Sequence, residues 1–216
     1  MFDTIRPFVL TLANGLAVSL AFFLIGSIGS LILGLSLALG LRSHYRLIRL
    51  PIQAYVEFFR NTPLLVQLFW LHFALPSVTG IVTSAVQTAG LALVLVMSAY
   101  MAEVYRAGIG SVPQGQLEAT DALGLPRWLA WRFVVIPQVL RVALPSIGNT
   151  LIALLKATAV LSVLAVPDLM RATTRISDYT ARPVLFYTLA AVIYIGIGLI
   201  VTALIHRFEK RLQRAG

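Results

Sequence analysis

The stretch Gly115-Gln-Leu-Glu-Ala-Thr-Asp-Ala-Leu-Gly-Leu-Pro-Arg-Trp128, running on to Ile136-Pro137, lies between long apolar segments. It is too polar to sit in lipid, so it divides the chain. Gln116 to Leu123 is expected to form a short helix, ended by Gly124 in the left-handed conformation that glycine tolerates. Pro126 suits the first turn of a second helix, where its missing N–H costs nothing. Ala119 and Ala122 keep one side of the first helix thin enough to enter a groove on another protein. Spacing alone leaves two readings open: an ordinary loop with two helical turns, or a helix shaped for docking.

The composition around this stretch is that of a membrane protein. Hydrophobic residues make up 59% of the 216 and charged residues only 12%, far from the soluble average. Cysteine is absent, which removes disulfides and thiolate metal sites. The net charge of +9 fits basic loops on the cytoplasmic side of a bilayer. It does not point to nucleic acid, because no basic cluster with interleaved aromatics lies on a polar segment.

Five segments are long and apolar enough to be read as spans, at about 8–40, 51–75, 81–105, 138–166 and 184–206. The first is uncharged from Pro7 to Leu41. As a helix it would extend roughly 50 Å against a hydrocarbon core of about 30 Å, so it must tilt, bend or begin outside the bilayer. It is too long for a cleaved signal peptide and is read as retained. The second carries Glu57, Arg60, Asn61 and Thr62 in its first half. Arg60 lies about 14 Å along from Pro51 on a regular helix, where a charge needs an interior or watery face and a partner. Glu57, three residues earlier, is the partner expected. Pro63 weakens the helix there and frees backbone carbonyls. Two readings stand: an ion pair bracing a helix end, or a polar wall of a transport path. Lys156, one of two lysines, falls near the middle of the fourth segment, where snorkelling is hard. It is read as functional, with a structural pairing to a carbonyl or to Glu57 as the alternative.

The expected fold is all-α, a single polytopic membrane domain over 1–216. Five helices put the termini on opposite sides, and the positive-inside rule orients them. With the N-terminus outside, the inner set is Arg42, Arg46, Arg49, Arg106, Arg127, Arg132, Arg141, Arg207, Lys210, Arg211 and Arg214. The outer set is only Arg6, Arg171, Arg175 and Arg182. The C-terminus and the loop at about 109–137, between the third and fourth helices, are then cytoplasmic.

No chemistry-bearing motif marks an enzyme. Lys156 follows Leu155 and Lys210 follows Glu209, so neither fits a Walker A loop. The three histidines are scattered, and no metal site is expected.

Several motifs together resemble one family. Glu118-Ala119, Gly124 and Ile136-Pro137 are similar to the EAA motif of ABC importer permeases. Glu103-Val-Tyr-Arg-Ala-Gly-Ile109, Gly115-Gln116 and Glu57-Phe-Phe-Arg-Asn-Thr-Pro-Leu-Leu-Val-Gln67 resemble the polar amino-acid permeases within it. So do Arg141-Val-Ala-Leu-Pro145, Asn149 and Leu154-Leu-Lys156; the likeness covers about 14 to 209. The resemblance implies a transport subunit of the bacterial inner membrane that forms half of a translocation path with a second permease subunit, identical or different. It implies a pair of ATP-binding subunits that hydrolyse ATP with Mg, an extracytoplasmic amino-acid-binding protein, an amino-acid substrate and a lipid setting. No cofactor is expected on the chain itself. On the matching positions, Glu118 would contact the ATPase, Gly124 would fix the turn, and Ala119 and Leu125 would seat the helix. Substrate would meet Glu57, Arg60, Thr62, Lys156 and Thr158.

Three positions depart from the family pattern, the first being Thr120, a small residue where the motif often has a second alanine. Ala157 and Ala159 stand where the family commonly has aspartate and serine after the lysine. Losing that carboxylate makes the cavity less acidic, which favours a neutral or acidic amino acid over a cationic one. An ion-gradient-driven carrier is the competing class, though no internal repeat supports it. A membrane anchor would have no need of costly interior charge.

Overall fold

The computed structural model describes residues 2–214, with side chains from 8 to 211. Arg6 and Arg214, counted above for orientation, have side chains outside that range. Ten α-helices follow one another among the described residues, with no strand.

The first, α1 (Phe2–Leu41), is continuous and nearly uniform in its apolar character. Such a helix needs close neighbours to order it, because apolar surface gains little by leaving lipid. Its main neighbour is α5 (Ala85–Gly110). Gly90 lies 3.7 Å from Phe22 when given a Cβ, Gly29 would meet Val94 at 2.7 Å, and Gly34 would meet Met101. Those contacts advance together along both helices, so α1 and α5 run parallel. A methyl at Gly34 would overlap Met101, and this is where the two backbones approach most closely.

Between them come α2 (Arg46–Asn61), α3 (Leu64–Phe69) and α4 (Leu75–Thr79), the last two joined by a π-turn at Trp70–Ala74. Leu64 packs by Met97, Leu68 by Leu93, and His72 bonds Thr88 at 3.0 Å. The α3–α4 segment therefore climbs antiparallel to α5. The second apolar segment, expected as one helix from 51 to 75, is instead broken. Arg46–Asn61 and Leu64–Thr79 meet at 110°. Pro63 explains the site of the break, since it cannot donate and forces its predecessor extended; Thr62 has φ −107° and ψ 133°. Among the described residues four helices are long and apolar enough to cross a membrane, and the bent pair makes a fifth if counted as one span.

The polar stretch folds as α6 (Gln114–Ala122) and α7 (Arg127–Ala130). A π-turn at Trp131–Val135 carries α7 into α8 (Ile136–Ala157), which tightens into a 3-10 segment at Thr158–Leu164. The amphipathic α9 (Leu169–Thr180) packs Leu169, Ala172 and Ile176 against Leu12 of α1. It is capped by Asp168, whose Oδ1 accepts from the Arg171 amide at 2.8 Å. Helix α10 (Pro183–Arg214) closes the chain. Almost none of its apolar stretch is buried, leaving one side of the bundle open to lipid or to another chain.

Candidate functional site

The break between α2 and α3 is a polar corner in apolar surroundings, and a helix end there leaves carbonyls to be satisfied. Thr62 Oγ1 donates to Phe58 O at 2.8 Å, and Tyr100 OH donates to Arg60 O at 3.3 Å. Gln67 Nε2 donates to Phe59 O and Thr62 O. A buried glutamine four residues after the proline thus closes the corner from the α3 side. Sequence reasoning quoted Gln67 only as part of a motif. The signal available was a lone amide in the run Leu64-Leu-Val-Gln-Leu-Phe-Trp70.

The corner lines a cavity of about 830 Å³ between α2, α5 and α8. Arg60 and Thr62 come from the α2 end, Tyr100 from α5, and Asn149, Thr150 and Lys156 from α8. That size suits a small organic ligand. Three of the residues expected on a substrate path, Arg60, Thr62 and Lys156, are brought together here. Thr158 is not among them: it is buried, and its hydroxyl donates to Leu155 O at 2.7 Å. Glu57 lies in a neighbouring pocket of about 410 Å³ with Arg49, Arg60, Glu103 and Arg106.

The charges pair differently from the sequence expectation. Glu57 accepts from Gln53 Nε2 at 2.9 Å, while Arg60 approaches Glu103 at 3.7 Å. Both residues lie on α2 ahead of the 110° bend, so their helical spacing is intact; Arg60 turns instead toward Glu103 of α5, and Glu57 is taken by Gln53 one turn earlier. Glu103 is gripped more tightly by Arg106, at 2.6 Å. Arg60 also lies 5.8 Å from the centre of the Tyr100 ring, within cation–π range. Lys156 has neither an ion pair nor a hydrogen bond among the described residues, and it is not held by Glu57.

At the far end of α5 the second feature stands clear of the bundle. Leu125 N donates to Thr120 O and Gly124 N to Asp121 O, both at 3.0 Å. This is a Schellman closure, which satisfies the last carbonyls of α6 and needs a left-handed residue. Gly124 supplies it, at φ 65°. Pro126 is the N-cap of α7, one place before the first turn that the sequence suggested. From Pro113 to Trp128 every residue except Thr120 is exposed, with Leu123 at 76%. Glu118 is held by Gln114 Nε2 at 2.9 Å, and Ala119 and Leu125 flank the turn. Apart from Gln138 of α8, whose amide donates to Gln116, the corner leaves its leucines uncovered by the described residues, an exposed apolar surface of the kind found at protein contacts.

Comparison with known proteins agrees with this geometry. Residues 30–214 match the model of the family described as binding-protein-dependent transport system inner membrane component. The chain belongs to that family. It is 34% identical to a putative glutamine transport system permease protein of Rickettsia conorii, over 95% of this chain and 94% of that one. It is also 34% identical to a histidine/lysine/arginine/ornithine transport system permease protein of Escherichia coli, over 92% and 87% of the two. Among solved structures, one described as an amino acid ABC transporter with histidines superposes with TM-score 0.88 at 34% identity, covering 98% of both chains. The methionine ABC transporter MetNI, in an inward-facing conformation, shares the fold with TM-score 0.79 at 18% identity. In this family the chain is an all-helical inner membrane transport component, and nothing in the matches favours a gradient-driven carrier.

Proposed function

We propose that the chain is the transmembrane subunit of an ATP-driven amino-acid importer. The observation that carries this reading is the α6–Gly124–α7 corner, exposed among the described residues at every position from Pro113 to Trp128 except Thr120. A subunit without a P-loop needs its energy delivered, and a rigid protruding corner is a means of receiving it. A pair of ATP-binding subunits would use ATP and Mg, and each permease corner would sit in a groove on one of them. Glu118, Ala119, Gly124 and Leu125 form that contact.

The cavity beside the α2–α3 break is then half of the translocation path, completed by a second permease subunit, identical or different. Arg60, Thr62 and Lys156 face substrate, while Glu57 and Thr158 act from behind the wall. An extracytoplasmic binding protein delivers the amino acid. With α2 to α4 counted as one span, the chain crosses five times, with the N-terminus outside and the C-terminus and corner in the cytoplasm. The arginines beside α2, α7 and the end of α10 support this orientation. The names of the relatives support the amino-acid class.

The reading is tested in proteoliposomes holding the purified complex, with binding protein outside and ATP within. Uptake of a radiolabelled amino acid that requires ATP and survives collapse of ion gradients is the expected result. Uptake driven by a gradient without ATP would overturn it.

A further inference from the structure

The cavity treats the two charges of an amino acid unequally. Two cationic side chains, Arg60 and Lys156, line it, and among the described residues no carboxylate does. Arg60 leans on Glu103, outside the lining, whereas Lys156 has no partner among the described residues. For a positive group, this chain's half of the cavity offers only neutral oxygens. Thr62 and Thr150 have spent their hydroxyl protons on Phe58 O and Ser146 O, at 2.8 and 2.9 Å. Their oxygens keep lone pairs to accept from an ammonium, as does the Asn149 carboxamide.

Charge balance then separates the classes of amino acid. The cavity is open on one side but walled mostly by apolar side chains such as Leu64, Val96, Met97 and Val160, a poorer solvent than water for unpaired charge, so the favoured occupant leaves the least net charge behind. A neutral zwitterion leaves the cation of Lys156 uncompensated. A cationic side chain adds a second positive group with no carboxylate to receive it. A dicarboxylic amino acid brings one carboxylate for the α-end and a second to neutralise Lys156.

Resting on the importer reading above, we infer that this cavity is an acidic-amino-acid site, with Lys156 as the residue that selects the second carboxylate. Its single ammonium is received by Thr62, Thr150 and Asn149.

The test uses the complete membrane complex, purified in lipid nanodiscs without its binding protein, so that only the membrane site is read. Equilibrium binding of L-glutamate, L-glutamine and L-arginine is compared. Glutamate is expected to bind at least tenfold more tightly than glutamine, with arginine weakest. Lys156→Met, checked for retention of the whole complex, should cost glutamate tenfold or more while changing glutamine by less than threefold. Lys156→Arg should restore much of the glutamate affinity. Glutamine or arginine binding as well as glutamate would overturn the inference while leaving an amino-acid importer intact. So would equal losses for glutamate and glutamine in Lys156→Met. Failure of ATP-driven uptake for every amino acid would instead overturn the importer reading.

Discussion

Gln67 and Thr62 are joined across the helix break: Gln67 Nε2 donates to Thr62 O at 2.9 Å and to Phe59 O at 3.1 Å. One side chain from α3 thereby satisfies two carbonyls at the end of α2, and Arg60 and Thr62 are held on the cavity wall between them. Gln67→Leu keeps the volume and removes both bonds. Leaving a partly buried carbonyl without its partner costs about 1–3 kcal/mol, so the two together should cost about 2–6 kcal/mol of stability. Thermal unfolding in detergent measures it, and uptake should fall about tenfold because the corner that carries Arg60 loosens. Unchanged melting and uptake would show that the amide is not what holds the break.

Gly124 has open space around it, so only its backbone angle resists substitution. An L-residue at φ 65° costs roughly 1–2 kcal/mol. Gly124→Val should therefore leave the bundle inserted and folded while misplacing Leu125 and α7. ATP hydrolysis by the assembled complex should cease to respond to binding protein and substrate. The check is stimulated against basal ATPase rate, and an unchanged ratio would count against the corner as a coupling element.

Gly15 lies where α1 meets the start of α9. A Cβ there would fall 2.8 Å from Asp168 O and 2.9 Å from the Ala172 Cβ. Neither atom is the free end of a flexible side chain. Gly15→Ala should cost about 1–3 kcal/mol through overpacking. Gly115→Ala, which meets nothing, is the control and should leave the melting temperature within about a degree of the parent.

Asp168 gives the stability a pH dependence. It is fully buried, Oδ2 has no partner, and burial raises its pKa from 3.8 to about 6. The folded state then holds the proton more tightly than the unfolded one, so stability falls as pH rises from about 4 to 6. Above pH 6 the penalty is complete. Asp168→Asn keeps an oxygen to cap α9 and removes the charge. It should melt higher than the parent at pH 7 and nearly the same at pH 4, as read by scanning fluorimetry across that range.

Much of this was legible in the sequence because membranes impose few solutions on a chain. Uncharged runs such as Pro7–Leu41 must be helices, and Gly124 followed by Pro126 specifies a helix stop and restart. The sequence also placed Lys156 in a low-polarity setting without a Walker loop to explain it. What it did not reveal was direction. Pro63 marked a weak point, but a proline can kink a span slightly or break it, and only packing of Leu64, Leu68 and His72 against α5 makes the turn 110°. Arg60 was assigned to Glu57 by helical spacing, whereas α5 brings Glu103 within reach of it from another helix, a contact that no local spacing shows. Thr158 was expected on the substrate path, but at the start of the 3-10 segment its buried hydroxyl donates to Leu155 O, away from the cavity lining.

The central claim is that the α6–Gly124–α7 corner receives energy from an ATPase, and the absence of cysteine makes it directly testable. A single cysteine is introduced at Leu123, the most exposed leucine of the corner, and the complex is treated in native membranes with a short bifunctional thiol–amine reagent. The account predicts one dominant adduct, to a soluble subunit carrying a P-loop, with a yield that changes when ATP is added. A cysteine at Val192, on the exposed apolar side of α10, should give none. A corner that cross-links to no ATPase, in membranes where the chain still supports uptake, would contradict the account.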